Sequence, residues 1–502
     1  MFGFADLLYG FSVILTVNNI LYCLVGCIIG TLVGILPGLG PVAAMSLLFP
    51  VTLHIPPVSA LIMMAGIYYG AMYGGSTTSI LVNIPGEAAS VITCLDGYQM
   101  ARKGRAGVAL GMSALGSFIG GTLSVVALQM VAPPLAKVAL AFGFPEYFSL
   151  ICCGLVVLTF MARGSMAKAL MMAAFGIFLG TVGTDLFTGV QKFTFGIKIL
   201  YDGLGIVPVI MGLFGISEVL LNIEEGITQE VFKTKIRNLF PNGKDWADSA
   251  GPISRGTLIG FFLGILPGAG PVISSFTSYA VEKRLSKHPE KFGTGMIEGV
   301  AGPETANNAA VGGAFVPLLT LGIPPTPSMA ILLGCLLSYG VQVGPLLIKN
   351  TPDIFWGVVS SMYIGNLILL VLNLPLIGLW VKILKVPYVI LFPLILLFCV
   401  VGVYSINTTT DEVILMVLFG VIGYLMKKYS YEAAPMIMAM ILSPLMENNL
   451  RQSLALSHGS FTIFFIRPIS AVLMITAIAL LILPNLPRLK RRKKWEGLEA
   501  AQ

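Results

Sequence analysis

Long apolar runs separated by short polar connections extend over almost the whole chain. Many runs are long enough to cross about 30 Å of hydrocarbon as a helix, and the shorter ones suit half-spans or re-entrant hairpins. They are continuous rather than alternating in polarity, which predicts helices rather than strands. We therefore predict an all-α polytopic membrane bundle of about 10–14 spans. The candidate spans are 19–36, 57–83, 106–136, 145–162, 165–182, 204–221, 256–280, 305–322, 327–348, 353–381, 387–405, 411–426, 431–446 and 460–485.

Composition agrees with lipid as the main solvent. Of the 502 residues, 56% are hydrophobic and 11% are charged, whereas a soluble protein has about 25% charged residues. The seven cysteines lack metal-ligand spacing, so we interpret them as packing residues. Walker, GxGxxG and HExxH motifs are absent from the sequence, and no residues suggest a catalytic triad. We therefore expect neither an enzyme nor a bound cofactor.

Basic residues predict the orientation of the chain. A run of six Lys and Arg residues within 488–494 follows the last apolar run, which places the C-terminus in the cytoplasm. Counting the predicted spans back from the C-terminus assigns each loop to one side of the membrane and leaves few basic residues on the side outside the cytoplasm. The inside set is Lys382, Lys385, Lys427 and Lys428, and the outside set is Lys349 and Arg451.

The longest polar stretch, 222–255, carries charges of both signs. We interpret it as a surface helix and loop that links two halves. The predicted segments are a first membrane repeat with following spans (1–221), the polar connector (222–255), a second membrane repeat (256–350), C-terminal membrane spans (351–487) and a basic cytoplasmic tail (488–502).

One motif occurs twice. The sequence GILPGLGP at 34–41 returns as GILPGAGP at 264–271, with seven of eight positions identical and a spacing of 230. A second pair follows, in which a Gly-Gly helix leads to an Ile-Pro break. Asn83-Ile84-Pro85-Gly86 corresponds to Gly322-Ile323-Pro324-Pro325, at a spacing of 239. Matched interruptions in two halves predict a transport site near the midplane of the membrane.

The physical reason lies in the backbone. Proline removes an N–H group, and glycine permits conformations that other residues resist, so each pair ends one half-helix and begins another. The freed N–H groups are costly in lipid and must face a cavity or a ligand. Positive helix ends suit a carboxylate, and free carbonyl groups suit Na⁺. The alternative is a pair of kinked helices that pack through glycine.

Polar residues near the breaks complete the candidate site. The amides of Asn307 and Asn308 either cap the following helix or offer oxygens to a cation or substrate. Hydroxyl groups in the first half either contact a ligand or bond to their own backbone. The candidate substrate- or ion-binding residues are Pro37, Gly38, Gly40, Ser76, Thr77, Thr78, Asn83, Pro85, Gly86, Pro267, Gly268, Gly270, Glu304, Asn307, Asn308, Thr320, Pro324 and Thr326.

Two acidic residues have open roles. Glu87 follows the first Ile-Pro break, and acids within a membrane are usually functional. Asp96 suits either a proton or ion role, or a salt bridge with the basic residues at 102–105. Lys and Arg are absent from the four breaks, so a bound carboxylate would depend on helix dipoles, amides, hydroxyls and a co-bound cation.

Five stretches of the sequence resemble the TctA-type large membrane subunit of the tripartite tricarboxylate transporters. The likeness rests on 34–41, 66–90, 95–107, 264–271 and 303–324, and it weakens from about 385 to the C-terminus. The family's Pro-Gly loops match Pro37-Gly38, Pro85-Gly86 and Pro267-Gly268. The fourth departs, since Pro325 stands where the family pattern leads us to expect glycine, and this departure bears on substrate identity.

The resemblance implies a secondary transporter of a bacterial inner membrane that takes up di- and tricarboxylates such as citrate. It implies Na⁺ or H⁺ as the coupling ion, and two partners, a small membrane subunit and a periplasmic solute-binding protein. The alternative function is a passive channel or pore for small anions.

The distribution of charge favours inverted repeats. The segment 45–57 has neither Lys nor Arg, whereas its counterpart at 282–291 carries four basic residues, which suggests opposite sides of the membrane. The number of spans between the repeats is also compatible with a parallel arrangement.

Overall fold

The computed structural model describes residues 4–36, 40–161, 165–185, 188–225, 239–268, 270–383 and 388–482. Helices dominate these residues, and their strand structure is a two-stranded antiparallel ribbon of β1 (Gly183–Thr184) and β2 (Gln191–Lys192). The all-α prediction is thus confirmed. Contacts divide the chain into unit 1 (1–139 and 205–429) and unit 2 (140–204 and 430–502). The five segments predicted from the sequence stay a prediction.

The helices are numbered in chain order through both units. The first eleven are α1 Phe4–Ile14, α2 Val17–Ile35, α3 Gly40–Thr52, α4 Pro57–Val82, α5 Thr93–Met100, α6 Ala106–Ala139, α7 Phe144–Met161, α8 Met166–Gly180, α9 Ile206–Ile210, α10 Ser217–Glu225 and α11 Gly243–Ile265. The others are α12 Gly270–Leu285, α13 Glu298–Leu321, α14 Pro327–Ser338, α15 Leu347–Asn350, α16 Pro352–Asn373, α17 Ile377–Ile383, α18 Tyr388–Asn407, α19 Thr410–Lys428, α20 Ala433–Leu456, α21 Ile463–Ile466 and α22 Pro468–Ile482.

Several helices have the dimensions of membrane spans. Four helices within the described ranges are long and apolar enough to cross a membrane, and eight shorter apolar helices accompany them. The four are Val17–Ile35, Pro57–Val82, Thr93–Ala139 and Pro352–Asn373. A membrane protein is therefore supported, and the number of crossings stays a prediction.

The described residues of the predicted connector 222–255 belong to unit 1. Helix α10 ends within it at Glu225, and residues 226–238 lie outside the described residues. Asn242 then caps α11, accepting a hydrogen bond from the Asp245 N–H at 2.9 Å, and α11 continues without interruption to Ile265. The end of the connector is thus the first half of a helix that leads into the second Pro-Gly motif.

Helices α4 and α13 form the centre of unit 1, and almost every residue of both is buried. Each packs closely against the helix that precedes its Pro-Gly motif. In the first pair, a Cβ at Gly30 of α2 would lie 2.4 Å from the Ile67 carbonyl oxygen of α4. In the second pair, a Cβ at Gly260 of α11 would lie 2.2 Å from the Ala306 carbonyl oxygen of α13.

These close approaches explain the spacing of the glycines in the two motifs. Gly26, Gly30 and Gly34 lie every fourth residue along one face of α2, and each meets a carbonyl group of α4. Gly256, Gly260 and Gly264 do the same between α11 and α13. Small residues at this spacing let two helix backbones touch, which stabilises helix pairs in lipid by van der Waals contact. The inverted relation of the two segments stays a prediction.

Unit 2 is built from α7, α8, α20 and α22. Gly176 of α8 lies against α20, where a Cβ would come within 2.0 Å of the Met436 carbonyl oxygen. At the end of α20, Arg451 bonds to Asp185 at 2.7 Å and to Glu447 at 2.6 Å. Lys192 of β2 pairs with the same two carboxylates, so four ion pairs form one network, and two of them, Lys192–Glu447 and Arg451–Asp185, join the ribbon to α20.

Replacing Gly260 with leucine should lower the thermal unfolding midpoint of the detergent-solubilised protein. The larger side chain would force α11 away from α13, and overpacking of this kind costs about 1–3 kcal/mol. Gly243→Leu is the control, because Gly243 is exposed at the start of α11 and a Cβ there meets nothing within 4 Å. Equal midpoints for the two variants would contradict the packing described.

Candidate functional site

The first Ile-Pro break follows α4. Asn83 takes a left-handed conformation (φ 57°, ψ 27°), which ends the helix two residues before Pro85. Asparagine tolerates this conformation better than most residues. Gly86 then lies against the end of α2, where a Cβ would come within 1.9 Å of the Gly34 carbonyl oxygen. The first Ile-Pro break therefore lies against the end of α2, where the first Pro-Gly motif begins.

The second Ile-Pro break follows α13 in a similar way. Gly322 takes the left-handed conformation (φ 70°, ψ 23°), and Thr326 caps α14 by accepting a hydrogen bond from the Met329 N–H at 3.3 Å. The Gly268 N–H donates to the Pro325 carbonyl oxygen at 2.9 Å. Pro325, which stands where the family pattern leads us to expect glycine, thus supplies the carbonyl acceptor that joins this break to the second Pro-Gly motif.

Each central helix contacts the Ile-Pro break of the other half. Asn307 of α13 donates through Nδ2 to Glu87 Oε1 at 3.4 Å, just after the first break. The Tyr68 hydroxyl of α4 bonds to Thr326 Oγ1 at 3.4 Å, just after the second. Asn307 and Tyr68 are 239 positions apart, as are Thr326 and Glu87, and this is the spacing of Pro324 and Pro85. The two contacts therefore join corresponding positions of the duplicated sequence.

Glu304 is held by hydroxyl groups from three helices. Its side chain is almost fully buried and accepts hydrogen bonds from Ser76 of α4 and Thr93 of α5. Ser113 of α6 donates to the same carboxyl at 3.3 Å. The described hydrogen-bond partners of this side chain are all neutral hydroxyls.

The neighbouring amides extend this polar region. Asn308 donates through Nδ2 to Ser117 Oγ at 2.7 Å and to the Glu304 carbonyl oxygen at 3.1 Å. The Oδ1 atoms of Asn307 and Asn308 are buried and have no hydrogen-bond partner within the described part of the chain. We call Ser76, Glu87, Thr93, Ser113, Glu304, Asn307 and Asn308 the polar cluster. Its two amide oxygens are buried acceptors that suit a cation, a water or a donor group of a ligand.

One interpretation of the amides is wrong. Asn307 and Asn308 do not cap a helix, because α13 runs continuously from Glu298 to Leu321 and both lie in its interior. Both side chains also reach groups outside their own helix, Asn307 at Glu87 and Asn308 at Ser117.

The other candidate residues divide into several groups. Thr78 donates to the Gly75 carbonyl oxygen at 3.0 Å and Thr320 to that of Val316 at 2.7 Å, so both hydroxyls bond to their own helix. Thr77 lines a small cavity beside the polar cluster, together with Tyr73, Ser76, Leu110, Ser113, Ala114, Asn373 and Ile377. Gly40 and Gly270 begin α3 and α12, and Pro267 follows the end of α11. Pro37 and Gly38 lie outside the described residues.

Four residues of this region were not predicted as site residues: Tyr68, Thr93, Ser113 and Ser117. Ser113 and Ser117 lie one helical turn apart in an apolar helix, so their spacing is a usable signal. Thr93 and Tyr68 carry no comparable pattern.

Asp96 acts as a clamp rather than a salt-bridge partner. Its buried carboxylate accepts hydrogen bonds from the Tyr279 hydroxyl at 2.8 Å and from the N–H groups of Gly293, Gly295 and Met296 at 2.7–3.0 Å. Arg105, a predicted partner, pairs with Asp245 at 2.5 Å instead. Asp96 therefore fixes the loop that leads into α13.

Asp96→Asn should destabilise the protein by more than about 2 kcal/mol. The amide has one acceptor oxygen instead of two, and its NH2 group would face N–H groups that need an acceptor. Tyr279→Phe is the matched control, since it removes a single hydroxyl and should cost about 1 kcal/mol. Chemical denaturation in detergent measures both. An equal loss for the two variants would contradict the clamp.

Comparison with known proteins identifies the chain. The family model for the tripartite tricarboxylate transporter TctA family matches residues 20–438. An "Uncharacterized 52.8 kDa protein in TAR-I ttuC' 3'region" of Agrobacterium vitis is 49% identical over 489 residues, which is 97% of each chain. An "Uncharacterized protein in TAR-II ttuC' 3'region" of the same organism is 48% identical over 234 residues, or 47% of this chain and 97% of that protein. No solved structure matches. The chain therefore belongs to the tripartite tricarboxylate transporter TctA family and is a membrane component of such a transport system.

Proposed function

We propose that the chain takes up small organic carboxylates, of the di- or tricarboxylate class that includes citrate, by secondary active transport driven by an ion gradient. The substrate would bind at the helix breaks, close to the contact between Glu87 and Asn307 where the first Ile-Pro break meets the polar cluster. The observation that supports this proposal most strongly is the pair of contacts from the centre of each long buried helix to the break of the other half.

Helix ends supply the groups that an anion needs. Helices α3 and α12 begin at Gly40 and Gly270, directly after the Pro-Gly motifs. The N–H groups of a first helical turn have no acceptor within their own helix, and the helix dipole favours negative charge there. A carboxylate bound at these ends would not require a guanidinium group.

The buried carboxyls favour ion-coupled uptake over a passive pore. Glu87 and Glu304 are both buried close to the breaks, and an ionised carboxyl in this region would repel an anionic substrate. A cation that neutralises them would make substrate binding favourable. Binding of cation and substrate would then depend on each other, as coupled transport requires.

We further propose the cellular setting and the partners. The chain would lie in a bacterial inner membrane with the basic segment 488–494 in the cytoplasm, in accord with the positive-inside rule. It would act with a small membrane subunit and a periplasmic solute-binding protein, the two other members of the tripartite system. The duplicated segments would have inverted orientations.

The decisive experiment is uptake of a panel of labelled di- and tricarboxylates into membrane vesicles from cells that express the chain with its genomic neighbours. The assay is run with and without the periplasmic protein and with imposed Na⁺ or proton gradients. Saturable accumulation that disappears with the gradient supports the proposal. Unsaturable equilibration that ignores the gradient would instead identify a passive pore.

Asn307→Ala should reduce this uptake to background while the protein still inserts into the membrane, because the amide is the direct link between α13 and Glu87. Asn449→Ala is the matched control, since its amide is exposed and bonds to its own helix at Leu445. Uptake and the amount of protein in the membrane are measured together. Normal uptake by Asn307→Ala would remove this residue from the site.

A further inference from the structure

Glu304, like Glu87 and Asp96, is a buried acid with no basic partner among the described residues, and of these three it alone is held by side-chain hydroxyls only. Asp245, Glu146 and Glu282 are also buried, and each pairs with an arginine at 2.5 Å. The described partners of the Glu304 side chain are three hydroxyls on three different helices. An ionised carboxyl without a counter-charge is very costly in such an environment, so it has to be neutralised by another route.

We propose that Glu304 is the proton-binding group of the chain, which takes up a proton from one side of the membrane and releases it to the other during each transport cycle. This inference rests on the proposed function and extends it, because it assigns the coupling ion and the residue that carries it.

The surrounding titratable groups do not neutralise Glu304. Glu87 faces it from the segment after α4 and Cys94 from α5, and both are neutral or negative. Tyr73 of α4 lines the adjacent cavity. Glu282 of α12 lies against Gly302 of α13 and is paired with Arg255 of α11 at 2.5 and 2.8 Å. Asp96 is occupied by the loop before α13.

The geometry favours a proton over a metal ion. Ser76 and Thr93 contact the two carboxyl oxygens of Glu304 directly, one on each, so a metal ion would have to push these groups apart. A hydroxyl is both a donor and an acceptor, and it rotates to suit either role. The same groups therefore stabilise the carboxylate by donating to it and the protonated carboxyl by accepting from it.

The small cavity provides a place for proton exchange. Ser76 and Ser113 contact Glu304 and also line this cavity, together with Tyr73 and Asn373. Asn373 Oδ1 is buried there without a hydrogen-bond partner among the described residues. Polar groups at such a position suit a transient water that delivers or accepts the proton.

The position of Glu304 explains how proton binding would be coupled to substrate binding. Glu304 lies one helical turn before Asn307, which contacts Glu87 beside the first Ile-Pro break. With the proton bound, this turn is neutral and an anionic substrate can approach the breaks. With the proton released, the carboxylate repels the substrate. Proton and carboxylate therefore move in the same direction, and the proton that binds on the substrate-loading side is the one released on the other.

The first test needs no substrate. Infrared difference spectra of the purified chain between acidic and alkaline pH should contain a carboxyl C=O band that disappears in Glu304→Gln and persists in Glu290→Gln. Glu290 is exposed in the short 3-10 helix Pro289–Lys291, between α12 and α13, and serves as the matched control. Thr93→Val keeps the carboxyl and the side-chain shape but removes one hydroxyl, so the band should move in frequency. A carboxyl band that is unchanged in both Glu304→Gln and Thr93→Val would overturn the assignment to Glu304. If Glu304→Gln does not fold, the frequency of the band in Thr93→Val decides the assignment.

The second test separates coupling from transport. This test uses proteoliposomes that contain the complete membrane complex and the carboxylate that the vesicle assay shows to be taken up best. An acid-outside gradient should drive at least about tenfold less uptake in Glu304→Gln than in the wild type. Substrate exchange in the absence of a gradient should fall much less than gradient-driven uptake, because glutamine mimics the protonated state. Proton-driven accumulation at the wild-type level in Glu304→Gln would refute the inference, as would wild-type uptake driven by Na⁺ alone.

The two tests distinguish the two proposals. A Glu304 band in a chain that transports no carboxylate would leave the proton site standing and refute the proposed function. Carboxylate uptake without a Glu304 band would do the reverse.

Discussion

Peptide groups that a helix break releases cannot remain unpaired against hydrocarbon. In unit 1 the two Ile-Pro breaks lie beside the two most buried helices, through Glu87 against Asn307 in one half and Thr326 against Tyr68 in the other. Each Pro-Gly motif adjoins an Ile-Pro break of its own half, through Gly86 against Gly34 in one and through Gly268 and Pro325 in the other. Glycines at every fourth position make this possible, because they bring α2 to α4 and α11 to α13 at backbone contact.

The central helices combine two properties that usually exclude each other. They are buried on all sides, yet α13 carries a carboxyl and two amides in its interior. Hydroxyls on α4, α5 and α6 satisfy much of this polarity without introducing a second charge. Charged pairs in the described residues lie elsewhere, as at Arg105–Asp245 and Arg255–Glu282. The membrane protein thus keeps a neutral hydroxyl environment where its candidate site lies.

Much of this arrangement was predictable from the sequence, because Pro and Gly act locally. The breaks at Pro85 and Pro324 and the close-packing glycines follow from backbone chemistry alone. The partners of Glu304 were not predictable, since a threonine such as Thr93 has the same sequence signature whether it bonds to its own helix or to a neighbour. The continuity of α13 through Asn307 was missed for a related reason, because helix-capping residues mark a helix start only when tertiary packing does not override them.

The Asp96 clamp has a mechanical consequence. Asp96 lies three positions after Thr93 in α5, and the loop that Asp96 holds runs directly into the helix that bears Glu304. The Asp96 hydrogen bonds thereby join helix α5 to the beginning of α13, although about two hundred residues of chain lie between them. When parts of unit 1 move relative to each other, Thr93 and Glu304 therefore move together for as long as the Asp96 hydrogen bonds remain intact.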